Sequence, residues 1–322
     1  MNHRTQQKKS RRQVIASATA ALAAATAAPL TRSSGAETPA ANSNEPFKYC
    51  LNTSTISGQN LGIESEVELA AKVGFHGIEP WIRELQAYQK KGKSLSDLRK
   101  KIEDSGLKVA DCIGFAPWIV DDEAKREAAL EQARREMDLV LQIGGTHIAA
   151  PPAGSTDHAL ELPVIVERYQ ALLDVARTIG ITPVLELWGF SKTLSKIGEV
   201  AYVTIEANRP NAGILLDIYH IYKGGGDFEG MRLLSGIGMP LIHTNDYPSN
   251  PPREKINDSF RVYPGDGVAP LDQIFRTLRD IGFTGYLSVE LFNRGYWKQS
   301  PLKVAKASLE KTRAAVQKAL SA

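Results

Sequence analysis

Cysteine is nearly absent from this chain: Cys50 and Cys112 are the only two among 322 residues. They fall in the first and third strand-like runs, which are not neighbours in a barrel, so buried thiols and no disulfide are expected. Long apolar runs are also missing. Beyond the N-terminal leader nothing approaches the 18 uninterrupted apolar residues of a membrane span, so no stable membrane anchor is expected. Positive charge is scarce outside one segment. Residues 1–36 hold Arg4, Lys8, Lys9, Arg11, Arg12 and Arg32 and no acid, and the whole chain is only +3. The remaining body is therefore mildly acidic, which argues against nucleic acid or another polyanion as partner. A Gly-rich phosphate turn is absent as well. Asn52–Gly58, after the first strand-like run, is not one, and this counts against an open doubly wound sheet.

The basic segment has its own pattern. Lys8-Lys9-Ser10-Arg11-Arg12-Gln13-Val14-Ile15 precedes an Ala-rich stretch to about Ala28, and Ser34-Gly35-Ala36 supplies a small-residue exit. This is the layout of an export signal over 1–36. The paired Arg11 and Arg12 resemble the twin-arginine type, which implies the twin-arginine export machinery and a periplasmic destination for an already folded protein. An uncleaved anchor or a disordered basic tail is the alternative. Residues 37–46 read as a flexible linker. The whole chain is 43% hydrophobic and 23% charged, which suits one sizeable core in the body, 47–322.

Strand-like runs alternate with amphipathic ones along that body. The strands are expected at Phe47–Leu51, Gly77–Trp81, Lys108–Ile113, Thr146–Ala150, Thr182–Leu187, Gly213–Leu216, Pro240–Asn245 and Tyr286–Leu291. Helices are expected at Ile63–Val73, Leu95–Ser105, Asp122–Gln142, Pro163–Ile179, Leu194–Ala207, Phe228–Ser235, Leu271–Ile281 and from about Pro301. Glycines such as Gly74, Gly106 and Gly180 stand where helices should end. Strict alternation demands a parallel sheet, and eight units let it close into a single α/β (β/α)8 TIM barrel.

Four residues stand at the C-terminal ends of these runs: Glu186 in PVLELWG, Asp217 in GILLDIYH, His243 in PLIHTND and Glu290 in GYLSVELF. Strand–helix units take roughly 30 residues, so the four belong to successive units, the last lengthened by an insertion. Any one of them alone could be an ion-pair partner or a core histidine. Together they lie on the face where barrels place their chemistry. Three carboxylates there would repel one another without a cation. The expected cofactor is one divalent metal ion, with Mn, Mg, Co or Fe suiting the oxygen-rich set and Zn also compatible.

At these residues the chain resembles the sugar phosphate isomerase/epimerase superfamily of xylose-isomerase-like barrels, from about Phe47 to the C-terminus. The marks are the glutamate of Leu185-Glu186-Leu187, the element Asp217-Ile218-Tyr219-His220, the end His243…Asp246, and Ser288-Val289-Glu290-Leu291-Phe292. Arg261-Val262-Tyr263-Pro264-Gly265-Asp266-Gly267 and Tyr296-Trp297 are most similar to the inosose (keto-inositol) isomerase branch. The resemblance implies Glu186, Asp217, His243 and Glu290 as metal ligands. It further implies Glu186 and Glu290 as the acid–base pair, and His220 and Arg261 as contacts to substrate oxygens. The export leader departs from that branch, whose members are expected in the cytoplasm.

The implied chemistry is isomerisation or epimerisation of a keto-sugar or inosose. A metal-stabilised enediolate forms by proton removal beside the carbonyl and is reprotonated at the same or the neighbouring carbon. A keto-sugar lyase or dehydratase would use the same groups. An apurinic-site endonuclease shares the barrel but needs early-strand histidines. Asp111-Cys112-Ile113-Gly114-Phe115 and Ala150-Pro151-Pro152 lack them. An exported sugar-binding protein with a structural metal is the non-enzymatic alternative. Among supporting residues, Trp81, Trp118, Trp188 and Tyr219 are candidates for a pocket wall or for core. Glu79 is a candidate substrate contact or loop anchor, and Asp246 and Lys223 are candidates to hydrogen-bond substrate hydroxyls or, the favoured reading, to pair in solvent. His147, at the start of its strand, is assigned to structure. Tyr296 and Trp297 are expected to cap the pocket or to serve a subunit contact in a homo-oligomer.

Overall fold

The computed structural model describes residues 45–321. The leader and most of the linker lie outside the described residues. Among the described residues there are eight strands: β1 (Lys48–Asn52), β2 (Gly77–Glu79), β3 (Lys108–Val109), β4 (His147–Ala150), β5 (Thr182–Glu186), β6 (Gly213–Asp217), β7 (Leu241–Thr244) and β8 (Tyr286–Val289). All assigned pairings are parallel, in the order β3-β2-β1-β8-β7-β6-β5-β4. The remaining seam is bridged where the Ala149 amide donates to the Cys112 carbonyl at 2.9 Å. The helices are α1 (Ile63–Val73), α2 (Ile82–Lys90), α3 (Leu95–Asp104), α4 (Glu123–Gln142), α5 (Leu162–Ile179), α6 (Ile197–Glu206), α7 (Ile218–Lys223), α8 (Leu271–Asp280) and α9 (Pro301–Ser321). No described helix is long and apolar enough to cross a membrane.

Local chemistry explains most boundaries. α8 buries Leu271, Ile274, Phe275 and Leu278, the i, i+3, i+4, i+7 stripe of a helix covering a sheet. Asp122 caps α4 by accepting from the Lys125 amide at 3.0 Å. Gly74 and Gly180 end α1 and α5 in the left-handed conformation, at φ +95° and +86°. The strands are buried on both faces, as in an all-parallel sheet wrapped by helices, so they read as continuous apolar runs. Cys50 and Cys112 are both free and buried.

Five elements went unanticipated: the 3₁₀ segments Thr53–Gln59, Gly236–Gly238 and Asp258–Phe260, and the helices α2 and α7. α2 exposes most of IRELQAYQK and buries only Ile82, Leu85 and Tyr88, so its apolar stripe is thin. α7 (IYHIYK) continues the apolar run of β6 without a break, and only its cap marks the change. α6 begins at Ile197 because Leu194 sits at φ +56°, outside helical space. The Phe228–Ser235 helix is a 3₁₀ turn, Phe228–Leu233.

Alternation along the strands positions the site. Val184, Leu215 and Leu241 form, with Trp81, Ile113 and Ala149, a small apolar cluster separate from the main core between strands and helices. Glu186, Asp217 and His243 each stand two residues further along, so they share that face. The cluster is the floor on which the polar groups stand.

Candidate metal centre

His243 is the hub. Its Nδ1 lies 3.3 Å from Glu186 Oε1, 3.5 Å from Asp217 Oδ2 and 3.3 Å from Glu290 Oε2. On its far side Nε2 is 3.0 Å from Glu79 Oε1. A carboxylate there accepts from Nε2–H, so a cation that replaced the proton on Nδ1 would find that lone pair facing the three acids. Nδ1 has no hydrogen-bond partner although it is fully buried. An orphaned imidazole nitrogen surrounded by three buried carboxylates is a donor set that fits a divalent cation. Asp217, His243 and Glu290 offer ligand atoms within 4.8 Å of one another, and so do Glu186, Asp217 and His220.

The electrostatics agree with a shortage of positive charge. Burial pushes the Glu290 carboxyl up to about 8, against the pull of His243 and Arg261. Burial also raises Glu186, with Asp217 and Glu79 adding to it. Asp217 is held well below the usual range despite burial, because Arg261, His220 and His243 crowd it. His243 is raised well above an ordinary histidine, since the surrounding acids outweigh its desolvation. Arg261 supplies the fixed charge: Nη1 donates to Asp217 Oδ2 at 2.7 Å and to Glu290 Oε2 at 2.9 Å. Its guanidinium lies 4.5 Å from the Tyr219 ring centre and 5.2 Å from that of Phe292.

Asp217 has a second task. Its Oδ1 accepts from the His220 amide at 2.9 Å, which starts α7, and from Asn245 Nδ2 at 3.2 Å. His220 is thus fixed inside the mouth, with Nε2 3.0 Å from Arg261 Nη2, and burial pushes its pKa down to about 4. Glu186, Trp188, His220, Arg261 and Glu290 all line one cavity of about 390 Å³, together with Trp81, Phe292 and Trp297. A larger cleft of about 580 Å³ lies against α8 and α9 and contains none of these groups.

Several expected roles change. Glu79 does not line the cavity: it is fully buried, and its second oxygen accepts from Asn52 Nδ2 at 2.8 Å and from the Ser288 hydroxyl. It holds His243 and is closed to substrate. Trp118 packs on Tyr169, 5.8 Å between ring centres, and donates Nε1–H to the Pro151 carbonyl, so it belongs to the core. Asp246 and Lys223 do not pair. Asp246 is buried and accepts from the amides of Tyr247, Gly265, Gly267 and Ala269. Lys223 donates to the carbonyls of Arg253, Glu254 and Ile256. Both tie down the long loop after β7. His147 stays at the start of β4, beside Thr146. Tyr296 stacks on Tyr263 at 4.0 Å.

Four polar residues at the site were missed. Asn52 bridges Glu79 and Glu290, at 2.8 and 3.3 Å. Asn245 orients Asp217. Asp258 Oδ1 accepts from both Nε and Nη2 of Arg261, at 3.0 and 2.6 Å. Asp111 is fully buried just beyond β3, and burial and the Glu79 charge hold its carboxyl well above the usual range. Asn52, Asn245 and Asp111 sit at or just past strand ends, the same signal that marked the four candidate ligands.

Known proteins share this fold. The model of the xylose isomerase-like TIM barrel family matches residues 67–315, and the chain belongs to that family. It is 26% identical over 279 residues to an inosose isomerase of Bacillus velezensis, covering 84% of this chain and 98% of the relative. It is 25% identical over 275 residues to a fructoselysine 3-epimerase of Escherichia coli O157:H7, covering 81% and 96%. Among solved structures, the IOLI protein with a bound zinc atom superimposes with a TM-score of 0.79 at 25% identity, over 86% of this chain and all of that one.

Proposed function

We propose that this member of the xylose isomerase-like TIM barrel family is a divalent-metal-dependent isomerase or epimerase of a keto-sugar or inosose. The observation that carries the reading is the orphaned His243 Nδ1 amid three buried carboxylates, two of which also line the cavity. Relatives named as an inosose isomerase and a fructoselysine 3-epimerase support the reaction class. The zinc of the IOLI structure supports a metal. The oxygen-rich donors suit Mn, Mg, Co or Fe as well.

Glu186, Asp217, His243 and Glu290 would hold the cation, which when bound supplies Lewis-acid polarisation of the substrate carbonyl. The chain's own residues do the rest. Glu186 and Glu290 border the same cavity, so one removes the proton beside the carbonyl and the other returns one. Return to the opposite face of the same carbon is epimerisation, and return to the neighbouring carbon is isomerisation. Arg261 and His220 reach the cavity with polar atoms and orient the hydroxyls. Trp81 and Phe292 cover apolar ring surface, and with Trp188 they exclude water.

The test is NMR in D₂O of the protein with each candidate metal, against inososes and keto-sugars. Metal-dependent deuterium entry beside the carbonyl is the expected result. No exchange with any of these substrates would sink the proposal, and release of water would redirect it to elimination.

A further inference from the structure

The cavity does not end at the candidate ligands. Trp81 anchors its inner end, donating Nε1–H to Asn52 Oδ1 at 3.0 Å, and Asn52 in turn touches Glu290. From there rings follow one another outward. Trp81 to Phe115 is 5.2 Å between centres, Phe115 to Trp188 is 5.9 Å, and Trp188 to Phe190 is 5.1 Å. Trp81 is 7% exposed, whereas Phe115 is 39% and Phe190 48% exposed. The strip thus runs from the buried centre to the open lip.

Single exposed phenylalanines need no explanation. These two continue the wall of one cavity, and the loop bearing Phe190 is firmly built. The Trp188 amide donates to the Leu194 carbonyl at 3.0 Å, and the Ser191 amide to the Trp188 carbonyl at 3.0 Å. A Cβ on Gly189 would lie 2.0 Å from the His220 carbonyl oxygen, so this turn is pressed against α7. The rings are therefore pre-organised, which lowers the cost of binding to them.

Size points the same way. Water occupies about 30 Å³ per molecule in the liquid, and atoms bonded into a ring pack more closely. A six-carbon sugar, with its twelve heavy atoms, leaves part of the 390 Å³ unfilled. A sugar whose C–H faces pack on Trp81 and Phe292 at the inner end leaves free the faces of Phe115 and Phe190, which lie up to three ring-to-ring steps of 5.1 to 5.9 Å beyond Trp81. An aromatic ring gains from them directly, because offset and tilted ring pairs attract beyond their buried area. Asn257 and Ser259 line the cavity as well, and can serve the sugar hydroxyls.

We infer that the substrate is a keto-sugar joined through a glycosidic bond to an aromatic ring, with the sugar at the candidate metal centre and the ring on Phe115, Trp188 and Phe190. This rests on the isomerase–epimerase reading for the inner half of the cavity.

The test compares binding of a phenyl and a methyl keto-glucoside to the full chain loaded with Mn²⁺, followed by tryptophan fluorescence. The phenyl compound should bind about tenfold more tightly, the scale of one to two ring contacts. Phe190→Ser, at a half-exposed position that folding tolerates, should bring the ratio back toward one. Equal affinities in the wild type, or a ratio unmoved by Phe190→Ser and Phe115→Ser, would overturn the inference. Deuterium exchange on the same compounds is read separately. Phenyl preference without exchange would leave the aromatic subsite standing and overturn the isomerase–epimerase reading.

Discussion

Glu79 and His243 are 164 positions apart, on strands that are not neighbours, yet their 3.0 Å contact sets which imidazole nitrogen is free. No spacing rule exposes such a pair, because it depends on distances across the inside of the barrel. The candidate ligands themselves were legible, since a charge at the end of an apolar run is conspicuous. The carboxylate behind a histidine raises its basicity, so Glu79→Gln, which keeps the shape and removes the charge, should weaken metal binding about 10- to 100-fold. Competition with a chelating dye measures this, and unchanged affinity would reduce Glu79 to packing. Glu186→Gln and Glu290→Gln test a different property. Each stays nearly isosteric and retains a weakly coordinating oxygen while losing the base. Turnover should fall by at least about 10²-fold, the lower end of what positioned acid–base groups contribute. Metal content should fall less than activity. Near-wild-type rates with metal bound would defeat the two-carboxylate mechanism and move attention to His220.

At the scale of elements, α1 and α2 meet at a pair of acids. Glu84 is committed: its Oε2 accepts from the Trp81 amide at 2.9 Å and from Thr53 Oγ1 at 2.8 Å. Glu66 is 3% exposed, and one of its oxygens has no partner. Burial first, and then the Glu84 charge, pushes Glu66 up to about 8 from an ordinary 4.5. A carboxyl whose folded value is raised favours the fold fully below about pH 4.5, and that favour is lost as pH rises through 8. The lost stability is on the order of a few kcal/mol. Glu66→Gln should therefore raise the melting temperature at pH 8.5 and leave it nearly unchanged at pH 4.5, read by calorimetry at both. An equal effect at the two pH values would mean Glu66 is ionised and paired in the fold. α2 also marks the limit of pattern reading. Its three buried side chains stand among charged neighbours, whereas the strands of a parallel barrel are apolar on both faces and declare themselves.

For the whole molecule, eight βα units were countable because each helix end and each strand is written locally, in caps and apolar runs. The details of the mouth were not, because Asp258, Arg261 and the loop after β7 are arranged by Asp246 and Lys223, whose partners are backbone groups. The export leader lies outside the described residues and stands as a proposal. Arg11→Lys with Arg12→Lys should trap precursor in the cytoplasm, and unchanged export by cell fractionation would exclude the twin-arginine route. The last prediction concerns the charge that the barrel gathers at one end. Glu186, Asp217 and Glu290 crowd one imidazole in a buried site, so a cation bound there relieves repulsion present only in the folded state. A ligand that binds only the folded state stabilises it by mass action, about 2.7 kcal/mol at a hundred times its Kd. In a folded body of this size that corresponds to a rise of roughly 4–5 °C in Tm. Saturating Mn²⁺, Co²⁺ or Zn²⁺ should produce that rise in calorimetry, and EDTA should reverse it. Asp217→Asn should remove most of the response, while Glu66→Gln, remote from the centre, should keep it. A Tm indifferent to every divalent ion would refute a metal at His243 and leave Arg261 and a protonated His243 as the counter-charges of the site among the described residues.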